Sequence, residues 1–180
     1  MIFAPDTEVA LRTVVNLINT AENGGEKLKT LKDLDQFLQQ EGFTGSREHS
    51  AAEVESVRQL RTELRKLWEA PEEEAVETVN LLLRKANALP QLLKHDDWDW
   101  HFHATTPEAP LADRMSTEAA MALADIIRGK AMDRMLVCAA SDCDSVLLDL
   151  SRNRSKMYCG AICANRAHVA AYRARQAAEA

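Results

Sequence analysis

The sequence predicts a mainly α protein with a small β element, in two parts: a helical N-terminal domain, residues 1–133, and a short cysteine-bearing module, residues 134–180. Three observations carry this. Apolar residues recur at helical spacing through most of the N-terminal part, one short stretch alternates at strand spacing, and all four cysteines lie from Cys138 onward. Charge divides at the same place, with seven Lys and Arg against four Asp and Glu from Arg134 onward and fifteen against twenty-four before it. Two modules with different electrostatic roles account for that split.

Asp6 or Thr7 is placed to cap a first helix carrying Leu11, Val14, Val15 and Ile18, and "ENGGE" (Glu22 to Glu26) breaks it. A second helix follows Thr30, carries Leu31, Leu34, Phe37 and Leu38, and stops at Gly42. Ser50 and Glu53 have the spacing of a capping box. The long helix behind them has the inward stripe Val57, Leu60, Leu64, Leu67 and Trp68, and Pro71 ends it. Glu72 to Leu89 reads as a further helix, opened by acidic residues that suit its dipole and closed before Pro90. "DWDWHFHAT" (Asp97 to Thr105) is the convincing strand of this part; Trp98, Trp100 and Phe102 alternate with Asp99, His101 and His103, and the aromatic face is expected in the core. "TTPEAPLADRM" reads as a loop, and a last helix runs from about Thr117 to Arg128.

The composition, 46% hydrophobic and 28% charged over 180 residues, is that of an ordinary globular protein. No stretch approaches the roughly 18 apolar residues a membrane span needs, and the first residues lack the basic start and apolar run of a secretory signal. A cytoplasmic address is expected, and no membrane partner. In a reduced compartment, clustered cysteines point to a metal rather than to disulfides.

The spacing C-x4-C-x15-C-x3-C suits tetrahedral zinc, with Cys138, Cys143, Cys159 and Cys163 as ligands. Val146 to Ser151 reads as a strand, Arg152 to Ser155 as a turn, and "KMY" as a returning strand, so the expected arrangement is knuckle, hairpin and helix: a treble-clef-like finger. Four thiolate ligands leave no open position, so the metal is structural rather than catalytic. No flexible linker precedes the module, which is expected to pack on the helical part. Basic residues flank the second cysteine pair: Arg152, Arg154 and Lys156 before it, Arg166, Arg173 and Arg175 after it. They suit phosphate contacts, and they also suit compensation of the thiolate charge or a solvated helix face.

Arg134 to Gln176 resembles the CGNR-type zinc finger: the two cysteine pairs, Ser151-Arg152-Asn153 on the hairpin motif, and Asn165-Arg166 on the signature that leads into a basic helix. Ala164 stands where that signature has glycine, and Met157 and Tyr158 replace a stretch that is more basic or contains tryptophan. The stretches "VVNLINT", "LKDLDQFLQQEG", "RQLRTELRKLW", "WDWHFHAT" and "MALADIIRG" are similar to the ABATE domain that accompanies this finger. The resemblance implies a bacterial, stress-responsive transcription regulator whose finger binds DNA; with the charge split, it makes Arg152, Arg154, Lys156, Asn165, Arg166, Arg173 and Arg175 the residues expected to contact the duplex.

An acidic domain beside a DNA-binding finger is expected to sense a small-molecule or protein effector. Its candidate polar pocket comprises Asn19, Thr20, Arg61, Arg65, His101 and His103. Arg61 and Arg65 are i, i+4 and can clamp one anion, or pair with surface acids. His101 and His103 share a strand face, yet no third ligand is evident, and two ordinary half-exposed histidines is the simpler reading. No phosphate loop, nucleophile elbow or HExxH motif is present, so no enzyme activity is expected. A homodimer would double the positive surface that an acidic chain presents to DNA. The alternatives are a zinc-stabilised surface for protein or RNA, and a ligand-binding protein whose finger only completes the fold.

Overall fold

A computed structural model describes residues 3–94 and 99–178. The body is built from α1 (Pro5–Ile18), α2 (Leu31–Glu41), α3 (Ala51–Leu67), α4 (Glu72–Lys85) and α5 (Leu111–Arg128), with an antiparallel hairpin of β1 (Gln91–Leu93) and β2 (His101–His103) between the last two helices. A single 3-10 turn, Met132–Arg134, leads into β3 (Met135–Val137) and β4 (Val146–Leu148), which pair antiparallel, and α6 (Ala161–Ala178) ends the chain. Among the described residues no helix is long and apolar enough to cross a membrane.

The helical stripes do what their spacing implies. Leu11, Val14, Leu17 and Ile18 of α1 meet Val57, Leu60, Leu64 and Leu67 of α3 around the central α5, and all are buried. Burying each such side chain favours folding by about 1.5–3 kcal/mol. Thr30 caps α2 in a reciprocal box with Asp33, and Gly42 ends it at φ 67°, a left-handed conformation that glycine adopts without strain. Ser50 accepts the Glu53 amide, but the Glu53 carboxylate reaches past Ser50 to the amides of Glu48 and His49, so the expected box is only half formed.

Further expectations are corrected. Neither Asp6 nor Thr7 caps α1: Ala4 holds that position, Pro5 opens the helix where a missing N–H is harmless, and Thr7 turns inward to donate its hydroxyl to Asp125 at 3.0 Å. Helix α4 ends at Lys85 rather than Leu89, because Asn87 takes the left-handed conformation, Ala88 bonds back to the Leu83 carbonyl, and Leu89 joins the hairpin through the Ala104 carbonyl. Helix α5 begins at Leu111, six residues before the expected start; Pro110 precedes its first turn and Leu111 and Met115 are buried. The "KMY" segment forms no strand. The strand that pairs with β4 is β3, so the knuckle lies inside the hairpin.

The aromatic strand is also inverted. Its alternation is present, but Phe102 opposite Leu92 and the neighbouring Trp100 are exposed, while His101 and His103 hold the more protected face. A two-stranded ribbon has one face toward the body, and here the histidine face takes it. Asp97 and Trp98 of the predicted strand lie outside the described residues.

The finger shares the body's core. Met135, Val146 and Leu148 belong to the same apolar cluster as α1 and α3. Trp68, at the end of α3, donates its indole N–H to the carbonyls of Leu136 and Leu147. The module therefore packs against the body through both strands of its hairpin.

Candidate metal centre and the surfaces it organises

Cys138 follows β3, Cys143 precedes β4, Cys159 precedes α6 and Cys163 sits in that helix's first turn, so strand, knuckle and helix each bring a thiol to one point. The four sulfur atoms lie within 4.8 Å of one another. Cys159 Sγ is 3.7 Å from that of Cys143 and 3.6 Å from that of Cys163. A tetrahedron with zinc–sulfur bonds of about 2.3 Å has edges of about 3.8 Å, so the cluster has the size zinc requires. It is a zinc site.

Surrounding donors complete it. The Cys159 amide points at Cys138 Sγ, 3.4 Å away, and Arg166 donates one Nη to Cys163 Sγ at 3.3 Å and the other to Asp142 at 2.6 Å. Their protein surroundings act differently on the four thiols. Burial and the neighbouring thiols push Cys159 up to about 12, whereas Cys143 is drawn down to about 7; there burial is outweighed by hydrogen bonds with the Ser145 hydroxyl and amide. Four adjacent thiolates cannot coexist near neutrality without a cation, which is the role the metal fills.

Beyond the metal, one carboxylate shapes the basic loop. Asp149 is buried and accepts the Ser151 amide at 2.8 Å and the Lys156 amide at 2.9 Å, tying the turn at both ends. Burial works against its charge, but the bonds from Ser151 and Lys156 prevail and hold its carboxyl below the usual range. Arg134 crosses beneath, donating to the carbonyls of Asp149 and Ser151. Sequence reasoning missed this pair, although the Asp within "LDLSRN" is the type of residue that closes a turn through its own carboxylate.

The loop and α6 display the seven residues expected to contact nucleic acid, but not equally. Arg152, Arg173 and Arg175 are exposed and make no ion pair with the described residues. Arg154 is paired with Asp133, Lys156 leans on the Leu148 carbonyl at 3.4 Å, and Arg166 is engaged by Cys163 and Asp142. Asn165 is exposed on the first turns of α6. Cys163 is the one residue of α6 that is buried.

Two family comparisons match this architecture: ABATE, described as "Putative stress-induced transcription regulator", over residues 11–130, and the CGNR zinc finger over residues 134–176. The chain belongs to the ABATE family. Comparison with curated proteins finds no match. Within the CGNR finger, Ala164 in place of glycine sits in ordinary helical backbone, its amide bonded to the Gly160 carbonyl at 3.1 Å, and needs no left-handed conformation.

The ABATE part does not gather its six predicted pocket residues. Asn19 instead clamps the finger: its Nδ2 donates to the Val146 carbonyl at 2.9 Å and its Oδ1 accepts the Val146 amide at 2.8 Å, as a neighbouring strand would. Thr20 is buried and accepts from Arg61, which also binds Glu26 through both Nη atoms at 2.8 and 2.6 Å. The Arg61 bonds come first in holding Glu26 down at about 2 against its burial. Arg61 is thus consumed inside the fold. Arg65 is half-buried, with one Nη atom that lacks a partner among the described residues. His101 and His103 alone of the six line the large cleft of the body, their Nε2 atoms 2.9 Å apart.

Proposed function

We propose that this ABATE-family chain is a DNA-binding transcription regulator, bacterial, cytoplasmic and stress-responsive, whose zinc finger contacts the duplex and whose helical body senses an effector. The observation that carries this is α6: past Cys163 the helix is exposed or half-exposed through Ala178, and Arg173 and Arg175 have no acidic partner among the described residues. Residues two apart lie on opposite sides of a helix, so in a groove these two arginines meet the two phosphate walls. Arg152 adds a third contact from the Asp149-braced loop. Arg154 and Arg166 serve the fold and the metal. The reading includes no chemical step, and a second copy of the chain would double the positive face.

Helix α1 supports the sensing half of the reading. Its first turns, from Asp6 to Thr13, line the body's cleft, and Asn19 just beyond its end holds β4. One rigid element about 20 Å long therefore touches both the cleft and the finger.

Fluorescence anisotropy of zinc-loaded protein with a pool of genomic duplex fragments at about 50 and 200 mM salt tests DNA binding. Three free phosphate contacts give a log–log salt slope near −3, and R173A with R175A lowers it by about 2 while zinc stays bound. Stoichiometric zinc with no saturable binding at either salt overturns the reading. A second reading is then favoured by Ile162, Val169 and Tyr172, whose exposure on α6 suits a helix that docks on another protein.

A further inference from the structure

The cleft between α1, α5 and the β1–β2 hairpin has a volume of about 650 Å³, the size of sites that hold small organic molecules. Val9, Ala10, Phe43, Leu83 and Met121 give it apolar walls. Its charged groups are Asp6, Glu41, Glu118 and Asp125 against Arg114 and Arg128, an excess of carboxylate.

Most of these charges are already engaged. Asp125 accepts the Thr7 hydroxyl at 3.0 Å and pairs with Arg128 at 3.1 Å. Glu41 accepts from Thr13 and Asn16, each at 2.9 Å. Arg114 is buried and gives its N–H groups to the carbonyls of Ala109 at 3.0 Å, Ser46 at 2.6 Å and Thr44. Gly45 makes that packing possible: a side chain there would collide with the guanidinium, and its φ of 99° suits glycine.

Glu118 lies one turn beyond Arg114 on α5, and no hydrogen bond to its carboxyl forms among the described residues. It also borders a small void lined by Val14, Leu17 and Leu64, which places it on the inner wall of the cleft, against the core. Burial pushes its carboxyl up to about 7, and Arg114 offsets this only in part through space. A half-buried acid that borders an organic-sized apolar cleft, with no hydrogen bond among the described residues and only Arg114 acting on it through space, is placed to pair with a cation in that cleft.

We infer that the cleft is a binding site for an amphipathic organic cation, whose ammonium group pairs with Glu118 and whose apolar part lies against Phe43 and Met121. The carboxylate excess disfavours an anion, and a neutral ligand leaves Glu118 without its charge partner. This rests on the body being the sensing part and names the chemical class of its effector.

The test titrates the full-length zinc-loaded protein at pH 8 with dansylcadaverine, a primary amine on an apolar fluorophore, and with its N-acetyl derivative, which lacks the charge. The amine is expected to bind at least tenfold more tightly than the acetylated form. E118Q should remove that preference while leaving the acetylated form unchanged, and M121W should weaken both by filling the cleft. Equal affinities for the two probes on the unaltered protein, or no binding of either, overturns the inference whatever the variants do. The titration contains no DNA, so it is separable from the regulator reading: if the amine binds with its preference intact but leaves DNA affinity unchanged, the cation site stands and the sensing role falls.

Discussion

In the helical body, Leu11, Leu17, Leu34, Val57 and Leu64 are sealed from water in one continuous cluster; in the finger a separate cluster contains only Cys138, Leu147 and Cys163 as buried members. Strand β4 belongs to both. Val146 and Leu148 face the body's core, Leu147 between them faces the cysteines, and all three are buried. Successive residues of a strand point to opposite sides, so three residues join a hydrophobic core to a metal core. The body is held by apolar area, and the finger, too small to bury enough of it, by four sulfurs and the ion they share.

The largest break in that comparison removes the metal. Chelation or C163A is expected to abolish zinc binding, melt α6 and the 150–156 loop, and remove the proposed DNA contact, with an apparent loss on the order of 10–16 kcal/mol of metal-binding free energy. The body's helices should survive at a lowered midpoint, since Val146 and Leu148 are part of their core. Zinc content and far-ultraviolet circular dichroism read this, and complete retention of helix content after zinc loss would show that α6 stands without the metal.

A second contrast lies within the body. Glu118 has a folded pKa raised from 4.5 to about 7, so the proton is held more tightly in the native state. Its contribution to stability is present below pH 4.5 and is lost as pH rises through 7, by on the order of 2–3 kcal/mol. Glu26 has the opposite sign: lowered to about 2 by Arg61, it stabilises above pH 4.5 and that gain is lost on acidification. Urea unfolding of wild type and E118Q from pH 5 to 8 should therefore diverge, with the variant gaining relative to wild type as pH increases. Parallel curves would show that Glu118 is solvated in the native state.

The smallest effect sharpens the junction. N19A removes both bonds to Val146 and should cost about 1–3 kcal/mol. Hydrogen exchange at the Val146 amide should accelerate while the body's amides far from α1 keep their protection. An unchanged Val146 rate would mean that the shared core and Trp68 alone hold the finger in place.

The metal site and most helices were legible because their signals are local. The cysteine spacing, the Thr30 cap, the Gly42 stop and the stripe Val57, Leu60, Leu64, Leu67 each act within a few residues, through geometry that does not depend on what lies elsewhere in the chain. The less legible boundaries were decided at longer range. Leu89 reads as helical until Ala104 offers it a carbonyl, and "LADRM" reads as loop until Leu111 and Met115 find the core.

The sequence by itself determined the zinc ligands, the helical class of the body and the division of charge between the two parts. Only the tertiary structure decided what each polar residue does. Asn19 and Arg61 look like pocket residues, yet one is a substitute strand for Val146 and the other a buried partner of Glu26; Glu118 carries no motif, yet it lines the cleft without a hydrogen bond among the described residues. A polar side chain acquires its role from the donors and acceptors that folding brings to it, and those come from positions far away in the chain.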